Sequence, residues 1–95
     1  MKKIVKKYSE PGEWEVVIPF EEVGEDKEWL GTLDAQEQGE YKLTIIADHK
    51  VENTKGKITV RAVVGKNAHV MIKGVIRIRK GAQKTDNFLE IRVLM

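Results

Sequence analysis

From Tyr41 to the end of the chain, apolar and polar residues alternate in short runs, each closed by a turn signal. The runs are Tyr41–Asp48, Lys57–Val64, His69–Lys73, Val75–Arg79 and Phe88–Leu94. Period-two alternation rich in Val, Ile and Thr predicts β-strands with one face buried. The breaks are Asn53-Thr54-Lys55-Gly56, Gly65-Lys66-Asn67 and Lys80-Gly81-Ala82-Gln83. Neither proline lies beyond residue 19, so nothing bars these runs from central ladder positions. Earlier, Glu13–Pro19 reads as a strand ended by proline, Glu21–Glu28 as an acidic loop, and Trp29–Leu33 as a short strand. No segment carries a convincing amphipathic helix. The chain is predicted to be all-β.

Ile45, Val60, Ile76 and Ile91 each sit in an apolar run, at intervals of 15, 16 and 15 residues. Near-constant spacing with glycine at the corners suits a right-handed β-helix or solenoid, in which rungs stack and inward residues form one apolar column. A β-sandwich of consecutive hairpins uses the same turn signals and stays open as the alternative. The expected inward column is Leu43, Ile45, Ile58, Val60, Val70, Ile72, Ile76, Ile78, Leu89, Ile91 and Val93. Gly74 is expected at a bend or corner, and Trp14 and Trp29 are expected to cover the amino-terminal end of the column.

Ninety-five residues make one domain with a modest core. Residues 1–40 are expected to form an acidic amino-terminal cap and residues 41–95 the β-helix core. Apolar residues at 41% and charged residues at 34% describe an ordinary soluble composition. No apolar run is long enough to span a bilayer, and the basic start, Met1 to Lys7, lacks the apolar stretch of a secretory signal. The expectation is a cytoplasmic protein. The chain has no cysteine, which excludes disulfides, thiolate catalysis and cysteine-ligated clusters within it.

Net charge is only +2, yet the charges are segregated. Residues 1–7 hold four lysines; residues 8–40 hold eleven acids against Lys27; residues 41–95 hold twelve bases against four acids. The acidic part is expected to lie against the basic part. A basic half could serve nucleic acid, but Phe88 is the only aromatic after Tyr41, and no recognition helix is present. Nucleic-acid binding is therefore disfavoured.

His49 and His69 have no other soft ligand near them in sequence, so hydrogen-bonded or surface roles are expected rather than metal ligation. His69 should share an outer face with Met71 and Lys73. Asp34, Glu37 and Glu40 read as a solvated acidic loop, and Thr85-Asp86 as a turn closed by side-chain hydrogen bonds to the backbone. No catalytic triad, phosphate-cradling loop or metal spacing appears. No enzyme, cofactor or metal site is expected.

The stretch VRAVVGKNAHVMIKGVIRIRKGAQKTDNFLEIRVLM, residues 60–95, resembles the SufB/SufD family of iron–sulfur cluster assembly scaffolds. The matching residues are Arg61, Val63-Val64, Asn67-Ala68, Gly74-Val75-Ile76, Ala82, Thr85-Asp86-Asn87-Phe88, Arg92 and Val93-Leu94-Met95. With Gly39–Asp48 the resemblance covers residues 41–95 well and residues 1–40 loosely. It implies a right-handed β-helix and structural roles for Gly74, Thr85, Asp86 and Phe88. In the family, the run matching Val93-Leu94-Met95 is followed by a rung bearing Cys, His and Glu. Nothing here corresponds to it, so no cluster-ligating residue carries over.

The strand ending at Met95 has an uncovered edge, and relatives join two β-helices through this region. A two-fold homodimer is therefore expected, with Phe88, Glu90, Arg92, Val93, Leu94 and Met95 in its interface. A monomer would need the acidic segment before residue 40 as cover. The resemblance also implies a SUF-type ATPase or a full-length SufB/SufD-like subunit as partners. The functional expectation is a non-enzymatic scaffold or interaction protein of the SUF system. A self-assembling β-module without a cluster role is the alternative.

Overall fold

The computed structural model describes residues 2–94, which form seven strands: β1 (Lys2–Tyr8), β2 (Gly12–Phe20), β3 (Asp26–Ala35), β4 (Gly39–His49), β5 (Lys55–Val64), β6 (Ala68–Ile78) and β7 (Asp86–Leu94). Odd strands form one sheet in the order β1-β3-β5-β7, and even strands form a second, β2-β4-β6. Every pairing is parallel. A hairpin would pair consecutive strands antiparallel, so the sandwich alternative is excluded. The fold is a β-solenoid in which the chain crosses from one sheet to the other at each corner.

Corner length sets the register. Three corners contain three residues (9–11, 36–38 and 65–67), and the opposite ones contain five, five and seven (21–25, 50–54 and 79–85). Gly12 pairs with Tyr41, Gly39 with Ala68 and Asp26 with Lys55, each 29 residues on. Lys55 pairs with Asp86, 31 residues on, because the last wide corner is two residues longer. The 15-residue spacing seen in the sequence is thus half a rung. Ladder bonding continues into the corners, with Arg79 N–H donating to His49 O at 2.9 Å and Asp86 N–H to Thr54 O at 3.0 Å.

The core lies between the sheets. Trp29, Leu33, Ile58, Val60 and Ala62 face inward from one sheet, and Ile18, Phe20, Tyr41, Leu43, Ile45 and Ala47 from the other; all are buried. This alternation of buried and partly exposed positions runs through β3 and β4. It follows from the pleat, which sends successive side chains to opposite faces.

Several expectations are corrected. The lysine-rich start is a strand, β1, held by its ladder to β3. Its Ile4 and Tyr8 pack on the core although the segment carries four lysines. Strand β3 begins at Asp26 within the expected acidic loop and extends to Ala35. Strand β6 runs unbroken through Gly74, so this glycine marks no corner. It faces inward opposite β7, where a Cβ would overlap Leu89 Cδ2. Trp29 is not an end cap; it is 2% exposed, between Ile4 of β1 and Ile58 of β5. Trp14, on the edge strand β2, does sit at that end, its ring 5.1 Å from that of Tyr8.

The acidic segment lies against basic neighbours, as expected. Glu13 faces Lys42, Asp26 faces Lys55, Glu28 sits between Lys3 and Lys57, and Lys50 Nζ pairs with Glu21 at 3.2 Å. A solenoid converts sequence position into position along its axis, so charge varies from rung to rung. Residues 1–8 carry +4, residues 9–35 carry −8, residues 36–64 carry +1 and residues 65–95 carry +5. The acidic residues before 40 lie with β1–β3, toward the opposite end of the stack from β6 and β7, the last strands of the two sheets among the described residues. They do not cover β7.

Candidate functional site

The last rung, β6 and β7, presents the most unusual surface of the molecule. Its inward residues occupy the same columns as the buried core, but no further rung stacks on them among the described residues. Ile91 is 38% exposed where its register mate Val60 is 0%, and Ile76 is 42% where Ala47 is 0%. Ile78 and Val93 are exposed likewise, beside buried His49 and Ala62. The inward direction read from the alternation therefore agrees with the register. The expected burial of Ile76, Ile78, Ile91 and Val93 does not hold.

The residues expected at an interface divide between two faces. Val93 shares the inward face with Leu89 and Ile91, whereas Phe88, Glu90, Arg92 and Leu94 project from the outer face of the four-stranded sheet. Phe88 and Leu94 are exposed, at 54% and 69%. Arg92 donates through Nε to Glu90 Oε1. Met95 lies outside the described residues.

Two polar locks hold this rung to the one before. At the wide corner, His49 is fully buried and its ring stacks on Phe20, with centroids 4.1 Å apart and planes 11° apart. Its Nε2–H donates to Asn87 Oδ1 at 2.9 Å, and its Nδ1 accepts from the Thr54 hydroxyl at 2.8 Å. Gly56 makes room for this arrangement, since a Cβ there would strike Asn87 Oδ1 and the Phe20 ring. Asn87 Nδ2 is buried without an acceptor among the described residues. Spacing alone could not bring His49 and Asn87 together, because their contact depends on the corner lengths.

The second lock lies on the outer face of the three-stranded sheet. Arg79 returns over β4 and donates through Nε and Nη2 to the two carboxylate oxygens of Asp48, both at 2.9 Å. This fork holds the Asp48 carboxyl below its ordinary value and raises the Arg79 guanidinium. Below it, the Thr85 hydroxyl donates to Ala82 O at 3.0 Å, closing the corner as expected, and Asp86 opens β7.

The remaining candidates stand apart. His69 is exposed on the outer face beside Met71 and Lys73, as its strand parity indicated. Among the described residues, no three His, Asp or Glu side chains are grouped as a metal site, and no helix is long and apolar enough to cross a membrane.

No match was found among curated proteins or among solved structures. The family comparison does give one, and it begins well before the stretch that carries the resemblance. Residues 16–95 match the model described as SUF system FeS cluster assembly, SufBD core domain. The matched span starts within β2 and takes in every rung from there to the end of the chain. With most of its length inside that match, the chain belongs to the SufBD core family of SUF iron–sulfur cluster assembly.

Proposed function

We propose that this chain is a non-enzymatic scaffold of SUF iron–sulfur cluster assembly, acting in the cytoplasm by offering its last rung to another β-helix. The observation that carries this reading is the contrast between Ile91 and Val60, one column seen exposed and buried. An apolar column beside two free ladder edges is stabilised by a stacked strand pair, which supplies both hydrogen-bond partners and apolar cover. A second copy meeting it about a two-fold axis closes the interface, whereas head-to-tail stacking would run on without limit. A SUF-type ATPase or a longer SufB/SufD-like subunit are further partners of the same kind of chain. The cluster itself is cargo here, since the chain has no cysteine to ligate one.

Light scattering at tens of micromolar tests the pairing. The expected mass is twice the 10.9 kDa of the chain, and Val93→Lys should shift it toward the monomer. Pull-down from a cell extract tests the assembly role, with a SUF-type ATPase or a SufB/SufD-like subunit as the expected capture. A monomer that retains neither would overturn the reading, and a chain that retains only itself favours a self-assembling module. Anaerobic reconstitution should leave the desalted chain colourless; a stoichiometric charge-transfer spectrum would contradict the cargo assignment.

A further inference from the structure

The outward residues of β6 restrict what can lie beside its edge. They are His69, Met71, Lys73, Val75 and Arg77, with no acid among them. Lys73 and Arg77 are exposed and make no ion pair among the described residues. On facing strands opposite charges stabilise and like charges destabilise. A second β6 laid on β6 offers Lys73 and Arg77 no acid at any register, since residues 53–85 contain none. Head-to-tail stacking fails at β7. Continuing the columns there puts Lys6 of the next copy on Ile91 and its Lys7 on Arg92.

The edge of β7 differs, because its outward residues are Asp86, Phe88, Glu90, Arg92 and Leu94. Strands β6 and β7 run in opposite directions, out along one sheet and back along the other. Gly74 and Leu89 face each other across the core, and Val70 and Ile72 share a cleft with Ile91 and Val93. Gly74 and Leu89 therefore lie at one height along the strands. A two-fold axis parallel to the strands, between the sheets at the open end, exchanges the sheets and preserves that height. It lays β6 of one copy antiparallel on β7 of the other, with Gly74 against Leu89. Counting from that pair, Lys73 meets Glu90, Val75 meets Phe88 and Arg77 meets Asp86 on the outer face. On the inner face Ile72 meets Ile91 and Val70 meets Val93. Sign then alternates across the junction, from Asp48 and Arg77 of one copy to Asp86, Lys55 and Asp26 of the other.

We propose that two copies join by exchanging edges, β6 of each on β7 of the other, with Lys73–Glu90 and Arg77–Asp86 contacts fixing the register. This rests on the reading that the last rung meets a second copy, and adds which strands meet and what selects them. Symmetry repeats every contact, so each ion pair occurs twice. The exposed side chains of Ile91 and Val93 gain apolar cover, and Glu90 keeps Arg92 beside it on its own strand. Each copy commits both of its open strands, which closes the assembly at two.

The test is sedimentation equilibrium of the full chain with single charge reversals. Lys73→Glu sets acid against acid and Glu90→Lys sets base against base, each at both symmetry-related sites. Each variant should dimerise at least about tenfold more weakly than the wild type. An equimolar mixture of the two variants restores opposite charges at both sites and should regain wild-type affinity. The chain has no cysteine, so introduced thiols report the same pairing. Val75→Cys and Phe88→Cys chains should oxidise to a cross-linked dimer when mixed, and neither should link to itself. A wild-type dimer that is indifferent to both reversals, or Val75→Cys chains that link to each other, would overturn the exchange while leaving the dimer standing. A wild-type chain that stays monomeric at tens of micromolar would overturn the exchange together with the reading beneath it.

Discussion

His49 Nε2 and Asn87 Oδ1 lie 2.9 Å apart although 38 residues separate them in the chain. The bond joins the middle rung to the last one at the wide corner, inside a site where His49 has no exposure. Asn87→Ala would leave a buried N–H without an acceptor, and such a loss costs about 1–3 kcal/mol. Urea denaturation should show the midpoint falling with little change in slope. An unchanged midpoint would mean that Asn87 does not hold the corner.

Position along the solenoid should decide what a buried charge costs. Ile45 is 1% exposed within the middle rung, and Ile91 faces the same way from the last rung at 38% exposure. Aspartate at Ile45 has no water to solvate it and should cost upward of about 3 kcal/mol, enough to unfold so small a core. Ile91→Asp should cost about 1 kcal/mol and leave a cooperative melt. Measured on the dilute, unpaired chain, equal effects at the two positions would mean that the last rung is covered from within.

Gly74 and Leu89 share one space between the sheets. Gly74→Val should destabilise by about 1–3 kcal/mol through overpacking. Adding Leu89→Ala should recover part of that loss, because the second change vacates the volume the first requires. A double-mutant cycle measures the coupling, and strict additivity would rule the contact out.

Asp48 supplies a pH dependence with a definite sign. Its carboxyl is held below the ordinary value by the Arg79 fork in the folded protein and returns to the ordinary range, about 3.9, on unfolding. A depressed folded value stabilises above the unfolded one and is lost as pH falls through the folded one. Asp48→Asn should therefore lower the melting temperature by a few degrees at neutral pH. The gap to wild type should close below about pH 4. A gap that persists undiminished in acid would point to shape rather than charge.

What the sequence by itself determined is local: the strand class, from period-two alternation after Tyr41, and the inward parity of residues such as Ile45, Val60 and Ile91. Parity is a property of the pleat and needs no partner strand. The start was illegible for the same reason, since Lys2, Lys3, Lys6 and Lys7 outweigh Ile4 and Tyr8 until the ladder to β3 is counted. Only the tertiary structure decided which strands pair and at what register. That choice depends on corner lengths and on closure of the whole rung, neither of which alternation records. From that register come the burial of Trp29 beneath β1, the contact of His49 with Asn87, and the placing of Gly74 opposite Leu89. The exposure of Ile91 beside buried Val60 arises in the same way: the two have equal local patterns, and only the stacking of a rung above distinguishes them.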